Sequence, residues 1–168
     1  MAVMTSIIRQ TSGSEVEGFR DTIAARLQSL TAAYELTRRD PPPLPLATIV
    51  TQWLTPFGDA RFAVEGEAVT LTPLAGRSVG RIVQELAVNA AKHGAFADAA
   101  GRVAVTWTVG DAGIALRWDE TGGPPITTLG RTGYGLELIA QEATVGLGGK
   151  SAFDFRREGL AFTLSFTP

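Results

Sequence analysis

Apolar residues recur at helical spacing near the start of the chain, where Phe19, Ile23, Leu27, Leu30 and Tyr34 lie four, four, three and four positions apart. This is one apolar stripe of a helix that runs to about Thr37. Ser14 and Glu17 have the spacing of a capping box at its start, and Glu15 lies near the positive end of the helix dipole. Residues 2–10 carry the end of a second helix and Ser12-Gly13 a tight connection, so the first forty residues predict a helical hairpin with a short first arm. The run DPPPLP at 40–45 cannot continue a helix, because consecutive prolines lack amide donors and force extended geometry on their predecessors. The domain boundary is expected there, with one part over 1–39 and another over 44–168.

Beyond the prolines, Leu46, Ile49, Val50, Trp53 and Leu54 predict a short amphipathic helix that Pro56 and Gly58 end. The period then falls to two. Residues 61–65 and 68–72 alternate around Glu65-Gly66-Glu67 and predict a pair of strands, after which Pro73 suits the first turn of a long helix to about His93. Arg102–Val109 with Gly113–Asp119, and Ser151–Arg156 with Leu160–Phe166, alternate across short turns and predict two hairpins. Tyr134–Val145 between them reads as a helix. This order predicts an α+β two-layer sandwich, one sheet with helices packed on one face, behind a partial helical hairpin.

Composition narrows the chemistry. The 168 residues carry 15 Lys plus Arg against 17 Asp plus Glu, so no positive field favours nucleic acid or an anionic membrane. With no cysteine and a single histidine, His93, disulfide frameworks, thiolate metal sites, cysteine nucleophiles and two-histidine schemes are excluded. No apolar run reaches the length of a bilayer span and no leader pattern opens the chain, which predicts a cytoplasmic protein. Glycines concentrate at 122–149, and function is sought there.

Three segments carry candidate chemistry. In QELAVNAAKHG, Glu85, Asn89 and Lys92 share one face of the long helix, with His93 beside them. That face is either a solvated outer stripe or a set of carboxylate, carboxamide and ammonium able to hold a hydrated divalent cation and phosphate oxygens. In WDETGGPP at 118–125 an acidic pair ends a strand before Gly122 and Gly123. This is either a stiff loop or a place where a carboxylate accepts from an exocyclic amine while the backbone comes close to a flat group. In GRTGYGLELI at 130–139 a G-x-x-G-x-G run opens directly into a helix, whose free amides and dipole suit phosphate. The glycine spacing is neither that of a Rossmann turn nor that of a P-loop.

The order and separation of these segments resemble the ATP-binding domain of the GHKL group, with an N box, a G1 box and a G2 box in turn, over about residues 44 to 168. Within that group the chain looks most like the HWE histidine kinases of bacterial two-component signalling. Trp118-x-Glu120 before Gly-Gly-Pro, the short lid and LGGKSAFDF carry that likeness. The resemblance implies a Bergerat-type mixed sheet and ATP with Mg²⁺ as ligands. It implies that Asn89 ligates the magnesium, that Glu85 orients or deprotonates the attacking group, and that Lys92 and His93 lie near phosphate. Glu120 would read the adenine amine, with Gly122 and Gly123 admitting the base; Asp119 is on the wrong side of the strand end. Gly133, Tyr134 and Gly135 would line the phosphate turn, with Arg131 toward the γ-phosphate.

The same resemblance makes residues 1–39 a partial dimerisation and histidine-phosphotransfer hairpin, with possible homodimer contacts through 2–37 and a response regulator as partner. Two departures stand out. Gln84 occupies the position where the HWE pattern has a histidine, and the acceptor histidine is missing, so the chain is expected to be a piece of a longer kinase or an acceptor-less protein. His93 would lie inside the nucleotide pocket and could not receive phosphate in line from there. The competing expectation is an acceptor-less nucleotide-binding module that acts on a sensor or regulator by contact. An anti-sigma type serine kinase shares the ATP fold but predicts no hairpin at 2–37.

Overall fold

The computed structural model divides into two units, Met1–Pro41 and Pro42–Pro168, and it describes residues 42–127 and 134–167. The helical hairpin expected over 2–37 lies outside the described residues.

Strand β1 (Leu44–Pro45) leads into helix α1 (Leu46–Leu54), which buries Leu46, Ile49, Val50 and Leu54. A 3₁₀ turn at Thr55–Phe57 follows, with Pro56 inside it, and a second at Asp59–Arg61 precedes strand β2 (Phe62–Gly66). Strand β3 (Thr70–Leu71) then gives way to the long helix α2 (Pro73–Lys92). Pro73 takes the first helical position, where its missing amide costs nothing, and Thr72 caps the helix by accepting from Ala75 N–H. Strands β4 (Arg102–Gly110) and β5 (Gly113–Thr121) form the first predicted hairpin. Gly113 has φ +107°, and a side chain there would strike the Phe166 carbonyl, so only glycine closes this turn. Helix α3 (Tyr134–Gln141) continues as a π-turn over Glu142–Gly146, and β6 (Lys150–Arg156) pairs with β7 (Gly159–Phe166).

Among the described residues the main sheet has five strands in the order β2-β4-β5-β7-β6. It is mixed, since β2 runs parallel to β4 while the other pairs are antiparallel. Val103, Val105 and Trp107 of β4, Leu116 and Trp118 of β5, and Phe162 and Leu164 of β7 point to the same side as the buried face of α2. The helices therefore cover one face and the alternate strand residues, such as Arg117 and Thr163, are exposed. This is the two-layer architecture that the alternation predicts.

One expectation needs correction. The strands predicted at 61–65 and 68–72 exist as β2 and β3, but they do not pair with each other. Phe62 to Gly66 pair in parallel with Val103 to Trp107, while Leu71 and Thr70 pair with Leu44 and Pro45 in a separate two-stranded ladder. The intervening Glu67 faces the sheet instead of a hairpin partner: its carbonyl accepts from Trp107 Nε1–H at 2.7 Å and its carboxylate from Val109 N–H at 3.0 Å. Long-range burial of Trp107 against Gly66 has overridden the local turn signal. Among the described residues no helix is long and apolar enough to cross a membrane.

Candidate functional site

Helix α2 carries the first part of the site. Glu85 and Asn89 are four apart and half-buried on one face, and Lys92 and His93 are exposed at the C-terminal end. A cation in the last turn suits the negative end of the helix dipole. The second part is the start of α3. At Gly135 an added Cβ would lie 3.0 Å from Glu85 Oε2 and 3.7 Å from Asn89 Nδ2. Gly135, in the first turn of α3, is thus set directly against the carboxylate and carboxamide of α2. What fixes that approach is the π-turn: Ser78 Oγ–H and Arg81 Nη1–H donate to the two Glu142 oxygens at 2.8 and 2.6 Å. Ile139 and Ala143 bury the inner side of the same helix. Tyr134 is largely exposed, and Arg131 and Gly133 lie outside the described residues.

The third part is the end of β5. Glu120 and Trp118 point inward, whereas Asp119 points outward and pairs with Arg117 at 2.5 Å. An exposed pair of that kind contributes little to stability. Glu120 is only 5% exposed. Its Oε2 accepts from Ala95 N–H at 2.8 Å and its Oε1 from Trp118 Nε1–H at 3.1 Å. The carboxylate therefore ties the end of β5 to the backbone just beyond α2. Gly94 makes room for it, since a Cβ there would fall 1.9 Å from Glu120 Oε2.

The glycines of the WDETGGPP segment have a different immediate reason from the one their sequence suggests. Gly122, at φ +70°, would aim a Cβ at the Ala100 carbonyl 2.9 Å away, and Gly123 would press one onto the Gly94–Ala95 backbone at 2.8 Å. The close approach that they permit is to the chain's own segment 94–101. No local pattern could have shown this, because the contact spans more than twenty residues.

Burial pushes the Glu120 carboxyl above its ordinary value of 4.5, against the opposing effect of the Ala95 and Trp118 hydrogen bonds. A folded-state value above the unfolded one means that this group's stabilisation is present in full below 4.5 and is lost as pH rises through the raised value. Wild-type melting temperature is therefore expected to rise, relative to that of Glu120→Gln, as pH falls from neutral toward 4.5. A difference that stays constant with pH would show that burial does not control this carboxyl.

The arrangement suits a hydrated cation carried in with phosphate better than a protein-caged metal. Among the described residues no group of three or more His, Asp or Glu converges on one point. A carboxamide and a carboxylate facing a glycine at a helix start match the donor set that Mg²⁺ uses when most of its ligands are phosphate and water.

Comparison with known proteins bears on the family and the fold. The family model described as HWE histidine kinase matches residues 1–68. The chain is 29% identical over 163 residues to a blue-light-activated histidine kinase of Rhizobium johnstonii, covering 95% of this chain and 47% of that one. It is 33% identical over 134 residues to blue-light-activated histidine kinase 1 of Erythrobacter litoralis, covering 75% of this chain and 37% of the other. The chain thus spans less than half the length of these relatives. Among solved structures, the Erythrobacter litoralis EL346 blue-light activated histidine kinase superposes with a TM-score of 0.64 at 18% identity, over 93% of this chain and 51% of that one. The ATP binding domain of PrrB from Mycobacterium tuberculosis gives 0.56 at 20% identity, over 74% and 95%. At such identities these two likenesses bear on the fold.

Proposed function

We propose that the chain belongs to the HWE histidine kinases, whose family model matches residues 1–68, and that residues 44–168 bind ATP with Mg²⁺ and present the γ-phosphate to a histidine in two-component signalling. The observation that carries this reading is the meeting of Gly135 with Glu85 and Asn89. It supports phosphate oxygens at the start of α3 and a cation against α2.

In this reading Asn89 holds magnesium through its carboxamide oxygen, and Lys92 and His93 stand at the phosphate end. Glu85 orients or deprotonates the attacking imidazole. Glu120 and the Gly122-Gly123 turn bound the adenine end, and Gly133, Tyr134 and Gly135, with Arg131, surround the phosphates. ATP supplies the phosphoryl group and magnesium neutralises its charge; the protein's share is positioning and electrostatic stabilisation. His93, the only histidine in the 168 residues, ends α2 beside the site, so the acceptor is presented by a helix outside this sequence, in the same polypeptide or a partner. Residues 2–37 would contribute to a dimer, and a response-regulator aspartate would take the phosphoryl group onward.

A ligand that binds only the folded state raises stability by mass action, by about 2.7 kcal/mol at 100 times its Kd. The melting temperature is therefore expected to rise with a non-hydrolysable ATP analogue, and to rise further with Mg²⁺. Unchanged melting in both would reject nucleotide binding and leave an interaction module with a kinase fold.

A further inference from the structure

We infer that Arg61 is the positioning residue that sets the base end of this site, an inference that rests on the nucleotide reading above. Arg61 closes the 3₁₀ turn before β2 and is half-buried. Its guanidinium reaches across to the segment after α2. Nε–H donates to the Gly101 carbonyl at 3.3 Å, and Nη2–H donates to the carbonyls of Ala95 at 3.2 Å, Gly101 at 3.3 Å and Asp98. The same group lies 5.2 Å from the centroid of the Phe96 ring, which stacks on Phe57 at 4.4 Å with the planes 8° apart.

Segment 94–101 has little regular structure to hold it: one 3₁₀ turn at Ala95–Ala97 and short backbone bonds such as Gly101 N–H to the Asp98 carbonyl. The carbonyls of Ala95, Asp98 and Gly101 converge on Arg61, while Arg102 Nη1–H donates to those of Ala99 at 3.2 Å and Gly101 at 2.9 Å. The inward side of the segment is the wall of the candidate site, where Ala95 N–H donates to Glu120 and the Gly94–Ala95 backbone packs under Gly123. Ala95 thus joins the two sides within a single residue, its carbonyl held by Arg61 and its amide by Glu120. Anchorage comes from the sheet, because Phe62, next to Arg61, pairs with Val103 of β4. Only a planar, multiply donating cation can span three carbonyls while stacking on a ring, so lysine does not replace arginine here.

Arg61 touches the base end and not Glu85 or Asn89, which gives the test its direction. Affinity for a non-hydrolysable ATP analogue, measured well below the melting point with and without Mg²⁺, is expected to fall about tenfold in both Arg61→Met and Arg61→Lys. The ratio between the two conditions should stay as in the wild type. Amide exchange over residues 95–101 is expected to quicken in both variants without nucleotide.

Wild-type affinity in the variants, with binding intact in the wild type, would overturn the positioning role alone, and so would unchanged exchange at Ala95. Loss of the Mg²⁺ effect together with affinity would also overturn it, since the damage would then not be confined to the base end. A wild type that bound no nucleotide would remove the reading of the site itself, and this inference with it.

Discussion

Asn89→Ala is expected to abolish the magnesium-dependent part of nucleotide binding, a loss of at least about 100-fold if the removed group is a direct metal ligand. The substitution should leave the fold intact, because Asn89 is half-buried and alanine is the better residue inside a helix. The expected pattern is specific. Calorimetry without Mg²⁺ should give similar weak affinity for both proteins, and only the wild type should gain on adding the metal. Equal magnesium enhancement in both would remove Asn89 from the metal and leave its face of α2 as the solvated stripe that an amphipathic helix ordinarily carries.

The second large effect belongs to a residue whose weight comes from its neighbours. Gly94→Val is expected to destabilise the domain by about 3 kcal/mol or more and to lower the melting temperature by roughly 10 °C. At the site of the first added carbon stands Glu120 Oε2, 1.9 Å away, with the Ala90 Cα at 2.9 Å on the other side. The carboxylate is the softer neighbour, but moving it breaks its bonds from Ala95 N–H and Trp118 Nε1–H and leaves two buried donors without an acceptor. Gly94 has φ −112°, so the requirement is for space and not for a left-handed backbone. Thermal unfolding of the variant decides the matter, and melting within a degree or two of the wild type would show that the carboxylate has another place to go. In Gly94→Val with Glu120→Ala the conflict with the carboxylate is gone and only that with the Ala90 Cα remains, so the penalty should be less than the sum of the two single changes.

The Trp118, Glu120 and Gly135 positions differ in how far the chain itself revealed them. Alternation at period two placed Trp118 and Glu120 on one face of β5 and Asp119 on the other, because side chains of a strand must alternate across the sheet. Helical spacing likewise put Glu85, Asn89 and Lys92 on one face of α2, and Pro73 marked where that helix starts. The two late hairpins are also local, since short turns bring sequence neighbours together.

Tertiary structure alone decided what meets what. The partner of β2 is β4, forty residues away, and nothing local distinguishes that pairing from a hairpin with β3. Arg61 shows the limit most clearly: in the sequence it is the first polar position of an alternating run, and in the fold its guanidinium binds carbonyls 34 to 40 residues distant. The glycines of the turn after β5 read as openings for a ligand, whereas the directions their side chains would take are filled by segment 94–101. Propensity, period and capping act over a few residues and so determined the elements and their faces. Carbonyls and carboxylates bond to whatever the packed core brings within 3 Å, so the site's inner fastenings belong to the tertiary fold.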